Sequence, residues 1–307
     1  MLSEDKADKI STTSPAAPQR IPARMAEIGG GVPVRRVLPS RGLRTIGAWC
    51  FLDHAGPAPR NLLSVGQHPH IGLQTFTWMI EGEIMHRDSL GSEQVVRPGE
   101  INLMTAGRGI SHVEEAHGDG PVHTVQLWIA LPESQRQAAP RFEHYAGLPR
   151  WEQGGWQHVL LAGELAGRHS PVEVHSPLLG LDLRAEGPAK VDLALDPAHE
   201  YGVLVLTGSA EIQGEALAPG ELLYLGSGHR NLVVQNAQAA GVHLLVIGGE
   251  PLAEAPLIWW NFVGCSTAEI LQAAEDWSQH DERFGTVPGT VLGRLQAPDA
   301  SGLRLRR

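Results

Sequence analysis

Residues 79–109 read MIEGEIMHRDSLGSEQVVRPGEINLMTAGRG, and residues 205–228 read VLTGSAEIQGEALAPGELLYLGSG. The two stretches share one layout. Gly208 answers Gly82, Ala218-Pro219-Gly220-Glu221 answers Arg97-Pro98-Gly99-Glu100, and Gly226 to Gly228 answers Gly107 to Gly109. Glycine and proline mark turns, so the shared punctuation predicts the same short strands in the same order twice over. The chain is therefore expected to be all-β, with a β-barrel unit duplicated in tandem.

Length and composition agree with two domains. The 307 residues suffice for two cores of ordinary size, and 36 glycines and 22 prolines beside 42% hydrophobic residues mean many turns, not disorder. Residues 1–25 are polar and read as a flexible N-terminal arm, 26–150 as a first barrel, 151–285 as a second, and 286–307 as a C-terminal tail. Residues 44–53 form a strand-like run leading to a turn at Gly56-Pro57. Ser266 with Glu269 makes a capping box, and Ile270, Ala273, Ala274 and Trp277 follow at helical spacing, so one short helix should pack a stripe against a barrel.

Two short runs carry chemistry: QHPHIG (67–72), with His68 and His70, and GISHVEE (109–115), with His112 and Glu114. Residues two apart on a strand share a face, so a His-x-His step and a His-x-Glu step aim three imidazoles and a carboxylate at one region. Such a donor set suits iron, nickel, copper, manganese or zinc, and it leaves positions open for water, oxygen or substrate. Most other histidines, His54 and His243 among them, read as surface or hydrogen-bonded core residues. The parity of His68, His70, Gln74, Phe76, Trp78 and Ile80 would put the first two ligands on one inward face with large apolar residues, if the strand is unbroken. The duplicate lacks the ligands. Equal spacing from Gly208 leads to Ala194 and Asp196, and from Gly228 to Asn231, so the second barrel should be metal-free.

A formal charge of −10 argues against nucleic acid as a direct ligand, and the arginines at 304, 306 and 307 read as a solvated end. No secretory signal and no apolar run long enough to span a membrane is found. Cys50 and Cys265 lie far apart with no disulfide framework, which fits a reducing cytoplasm.

QHPHIGLQTFTWMIEGEIMHRDSLG, RPGEINLMTAGRGISHVEE, IGAWCFLDH and QLWIALP resemble the pirin family of the cupin superfamily, over most of residues 30–285. The resemblance implies a bicupin, two tandem jelly-roll barrels with a short C-terminal helix, and one iron in the first barrel held by His68, His70, His112 and Glu114. Nickel, copper, manganese, cobalt and zinc are the substitutes to consider. It further implies one of two activities. The first is a dioxygenase that opens the ring of quercetin or a related flavonol or enol with O2. The second is a non-catalytic, redox-sensing regulator that acts through a protein partner.

The chain departs from most relatives at Gln74, where they carry glutamate four residues after the second histidine. Glutamine orients a group by hydrogen bonding but takes no proton near neutral pH. A flavonol hydroxyl is then expected to lose its proton to Glu114, or to the metal's own lowering of its pKa, with Gln74, Phe76, Trp78 and Met104 along the substrate pocket. Arg108 would either meet a substrate anion or brace the glycine loop through Glu115 or Asp88.

Overall fold

The computed structural model describes residues 16–28, 31–59 and 64–305. Its first half runs through β1 (Gln19–Pro22), β2 (Arg24–Ile28), β3 (Val32–Leu38), β4 (Trp49–Ala58), β5 (Ser64–His70) and β6 (Leu73–Glu81). It continues with β7 (Glu83–Asp88), β8 (Glu93–Val96), β9 (Ile101–Thr105), β10 (Ile110–His117), β11 (Val122–Ala130) and β12 (Arg141–Tyr145). A seven-stranded sheet, β12-β9-β6-β11-β4-β3-β2, faces a four-stranded sheet, β5-β10-β7-β8. Between them pack Phe51, Leu73, Met104, Ile110 and Trp128, and at the other end Ala55, Met79, Ile84 and Val96.

The second half opens with β13 (Arg150–Gln153), β14 (Trp156–Ala162), a hairpin of β15 (Glu164–Leu165) and β16 (Arg168–His169), β17 (Leu178–Ala185) and β18 (Ala189–Ala194). Then come β19 (Glu200–Thr207), β20 (Ala210–Ile212), β21 (Glu215–Leu217), β22 (Glu221–Leu225), β23 (Asn231–Asn236) and β24 (Val242–Gly249). Again seven strands, β1-β22-β19-β24-β17-β14-β13, face four, β18-β23-β20-β21. The duplication extends to single hydrogen bonds. Gly99 N donates to Met79 O and Gly220 N to Val205 O, each at 2.8 Å. Arg97 N and Ala218 N each donate to the carboxylate three residues on, Glu100 and Glu221, also at 2.8 Å.

The barrels meet face to face. Gln74, Phe76 and Trp78 of β6 look toward the second barrel, not into the first, and Phe76 and Trp78 share one buried cluster with Trp49, Leu161, Leu204 and Leu245. Continuous parity from His70 into β6 therefore fails. Ile71 and Gly72 interrupt the strand, Gly72 at φ +67, and β5 and β6 belong to opposite sheets. Beyond that corner Thr75, Thr77 and Met79 face the first barrel's interior. Polar bonds cross the seam as well: Trp78 Nε1 donates to Asp182 Oδ2 at 2.8 Å, and Trp49 Nε1 to the carbonyls of Leu179 and Gly248 at 3.2 and 3.1 Å.

Three expectations need correction. The run at 44–53 becomes strand only from Trp49, and β4 continues through Gly56-Pro57 to Ala58. Gly56 sits at φ +92 opposite the register shift between Val122 and Thr124, so the two residues make a bulge and not a turn. Part of the expected arm is ordered strand: β1 pairs with β22 of the second barrel, and β2 begins at Arg24, while residues 1–15 lie outside the described residues. The expected tail crosses back onto the first barrel, where Gln67 and Leu295 are bonded at 2.8 Å (N–H of Leu295 to O of Gln67).

Before it runs α1 (Thr267–Ser278), with Ser266 capping Glu269 N and with Ile270, Ala273, Ala274 and Trp277 buried. Glu269 reaches back to Cys265 N at 2.9 Å, one residue ahead of the cap. The stripe joins Ile71 of the first barrel and Phe262, so the helix seals that barrel's end. The strands β25 (Leu257–Trp259) and β26 (Phe262–Gly264) lead into it. Cys50 and Cys265 form no disulfide. Among the described residues no helix is long and apolar enough to cross a membrane.

At the seam His54 Nε2 lies 2.7 Å from His123 Nε2, and both rings are buried. Burial pulls His54 down to about 3 and His123 to about 4. Below pH 6.5 the unfolded chain takes up protons that the folded seam refuses, so stability falls as pH drops from 6.5 toward 3 and is unaffected above. The melting temperature of metal-free protein should follow that window. His54→Gln, which keeps a hydrogen-bonding group toward His123 but does not protonate, should flatten the slope; an unchanged slope would remove the seam as its source.

Candidate metal centre

On the inner face of the four-stranded sheet, three neighbouring strands each present a pair two residues apart: His68 and His70 on β5, His112 and Glu114 on β10, His86 and Asp88 on β7. His112 stands opposite His68 on one side and Asp88 on the other, and Glu114 opposite His86. Three imidazoles converge. Ligating nitrogens of His68, His70 and His112 lie within 4.8 Å of one another, and all three side chains are buried.

His70 Nε2 and His112 Nε2 are 3.1 Å apart. Two metal–nitrogen bonds of about 2.0–2.1 Å enclosing about 100° give that separation, so the pair fits neighbouring ligands of one ion. The far nitrogens support this. His68 Nδ1 donates to Gly66 O at 2.8 Å and His70 Nδ1 to Asn261 O at 3.0 Å, which leaves each Nε2 a bare lone pair. Burial brings His68 down to about 4 and His70 and His112 well below their ordinary value. All three are neutral at pH 7, as ligands must be.

Glu114, the expected fourth ligand, lines the same cavity as the three imidazoles. Its carboxylate groups with His86 and His112 within 4.8 Å and not with His68 and His70. A register shift between His112 and Glu114 turns this part of β10, and Thr77 Oγ1 lies 3.4 Å from Glu114 Oε1. Burial raises the Glu114 carboxyl above the usual carboxylate range.

A cavity of about 370 Å³ opens over the imidazoles. Phe51 and Trp128, stacked at 4.0 Å, form one wall, and Ile258 and Trp260 come from the strands before α1. Arg36 grips buried Asp53 through two bonds of 2.7 and 2.6 Å and lies over the Phe51 ring at 4.6 Å. Arg24, Ile28 and Leu295 add to the rim, so segments from the early and the late part of the chain both line the site.

Of the expected substrate contacts, none lines this cavity. Phe76 and Trp78 lie in the seam, and Met104 packs in the cluster behind Phe51 and Trp128. The Arg108 side chain is exposed, and both proposed partners are taken, Glu115 by Arg87 at 2.6 Å and Asp88 by His86 at 3.2 Å. Gln74 is fully buried away from the imidazoles, its Nε2 donating to Thr105 Oγ1 and Glu173 O at 3.0 and 3.1 Å.

Gln74→Glu should consequently leave metal content unchanged and lower stability by roughly 3 kcal/mol, because a carboxylate has nothing to donate to the Glu173 carbonyl and is costly to bury. A denaturant midpoint decides. Raised turnover without destabilisation would return Gln74 to the site.

Sequence reading passed over His86 and offered Asp88 only as a brace for Arg108, although the step His86-Arg87-Asp88 has the same period of two as the other motifs. In the second barrel Ala194 pairs with Asn231 at the register where His68 pairs with His112. A recess of about 820 Å³ opens there, lined by Ala194 and Asp196, and no group of three ligating side chains converges on it among the described residues.

Comparison with known proteins fits this picture. The family model described as Pirin matches residues 31–129, and that of the Pirin C-terminal cupin domain matches 180–285. A Pseudomonas aeruginosa protein provisionally named quercetin 2,3-dioxygenase is 54% identical over 91% of this chain and 90% of its own. A pirin-like protein of Caulobacter vibrioides is 38% identical over 88% and 92%. The crystal structure of quercetin 2,3-dioxygenase from Acinetobacter baumannii superposes with a TM-score of 0.89 at 48% identity, covering 94% of this chain and 97% of that one. The paired barrels and short C-terminal helix are the bicupin fold.

Proposed function

The chain belongs to the pirin family, and from that premise we propose a dioxygenase that opens the ring of quercetin, or of a related flavonol or enol, with O2 at one iron ion in the first barrel. The observation that carries the reading is the pair of Nε2 atoms of His70 and His112, 3.1 Å apart in a buried cavity, with the far nitrogens of His68 and His70 tied to carbonyls. His68, His70 and His112 would hold the ion, with the Glu114 carboxylate beside His112. Bound there, the ion supplies a Lewis acid that polarises the substrate enolate.

Glu114 takes the proton of the flavonol hydroxyl at a carboxylate oxygen. Burial makes it a stronger base than a carboxylate in water. The single hydroxyl hydrogen of Thr77 goes to Gln126 Oε1 at 2.8 Å, and Thr77 Oγ1 stands 3.4 Å from Glu114 Oε1 on the barrel side of the carboxylate. The Phe51–Trp128 stack gives a flat apolar wall for an aromatic ring, and Ile258 and Trp260 keep bulk water from the reacting centre. Location in the cytoplasm belongs to the same proposal, supported by two cysteines that do not bond to each other.

An aerobic spectrum of quercetin with metal-loaded protein tests the activity. The flavonol band should decay with turnover. Stable quercetin under iron, nickel, copper, manganese, cobalt and zinc loading would end the enzyme reading in favour of a metal-bearing regulator with a protein partner.

A further inference from the structure

His68 and His70 have their tautomers set by backbone carbonyls, but among the described residues His112 has no carbonyl on its Nδ1. It has His86. His112 Nδ1 lies 3.4 Å from His86 Nδ1, and His86 Nε2 lies 3.2 Å from Asp88 Oδ2. Both side chains are buried, at 3% and 0% exposure, and His86 is held flat against Phe142 with ring centroids 4.3 Å apart. The other Asp88 oxygen accepts two backbone N–H groups, from Leu90 at 2.9 Å and Ser92 at 3.0 Å. Its orientation is fixed from behind.

Only one arrangement of protons satisfies this chain together with a metal. Asp88 Oδ2 accepts, so His86 carries its hydrogen on Nε2 and offers the Nδ1 lone pair. That lone pair accepts from His112 Nδ1–H, and His112 Nε2 is left bare toward His70. We propose that His86 and Asp88 are positioning residues that lock His112 in its metal-binding tautomer, a role resting on the metal reading above. Neither needs to touch the ion. Outer-shell partners of this kind typically change metal affinity by about 10–100-fold.

Asp88→Asn tests the chain at nearly constant shape. Leu90 N and Ser92 N hold the amide oxygen, so the new NH2 points at His86 Nε2, reverses the His86 tautomer and presents N–H to His112. In metal-free protein, ¹⁵N spectra of histidine should show His112 protonated on Nδ1 in the wild type and on Nε2 in Asp88→Asn. Nickel(II) affinity by chelator competition should fall about 10–100-fold in Asp88→Asn. His86→Phe, which keeps the stack on Phe142, should lose as much, and His86→Gln, which restores an acceptor, should recover most of it.

An unchanged His112 tautomer in Asp88→Asn overturns the proposal, whatever happens to affinity. Loss in His86→Phe as complete as in His68→Ala, with no recovery in His86→Gln, also overturns it, because His86 would then be a ligand. The metal reading is judged separately: nickel binding in His68→Ala equal to wild type would sink it. The tautomer spectra, taken without metal, still report on the hydrogen-bond chain.

Discussion

His112→Ala is expected to purify folded and nearly free of metal, where the wild-type chain is expected to hold one ion. The substitution removes a nitrogen 3.1 Å from His70 Nε2, so the loss should exceed the roughly 10–100-fold typical of an outer-shell partner. The fold should survive. His112 lies among polar rings, and the apolar clusters at either end of the barrel do not include it. Adding metal should therefore raise the melting temperature of wild type and leave that of the variant where it was. Metal analysis and a thermal melt read both outcomes. Full occupancy in His112→Ala would show that the imidazoles are not the site, and a second tightly bound ion in wild type would show that Ala194, Asp196 and Asn231 conceal another.

Glu114→Gln separates base from ligand. A positioned general base contributes about 100- to 10,000-fold, so quercetin turnover should fall by that factor. Metal affinity should change much less, because the carboxylate stands with His86 and His112 and apart from His68 and His70. Glutamine keeps an oxygen at this position while losing the ability to take a proton. Parallel loss of metal and turnover would make Glu114 the fourth ligand and move the base elsewhere.

The repeat was legible because turn residues are local: Pro98-Gly99 and Pro219-Gly220 make the same turns wherever the strands go. The three histidines were legible for a similar reason, since a step of two on a strand fixes the face. Parity stopped being informative at Gly72, where a left-handed residue carries the chain from one sheet to the other. It gave no warning, because β6 is buried on both faces, one in the barrel and one in the seam, and the alternation of Phe76 and Trp78 with Thr75 and Thr77 reads as an apolar face turned into the barrel when the threonines are what face it. Hence Phe76 and Trp78 looked like pocket wall and are interface. The wall of the cavity joins Phe51 and Trp128 to Ile258 and Trp260, which follow Trp128 by 130 positions or more, and no local pattern brings them together. His86 and Asp88 could have been found, since their spacing repeats that of the motifs beside them.

The first described strand and the last described segments of this chain are each lodged in the opposite half. The first strand completes the distal sheet, while Asn261 and the helix after it close the proximal one and hold His70. A break in the link between Tyr145 and Arg150 would thus yield fragments that each lack a piece carried by the other, competent only as a complementing pair. Metal retention then becomes a gauge of chain integrity: a copy truncated before Asn261 should lack the carbonyl that orients His70, and so lose its metal, while the nicked pair keeps it.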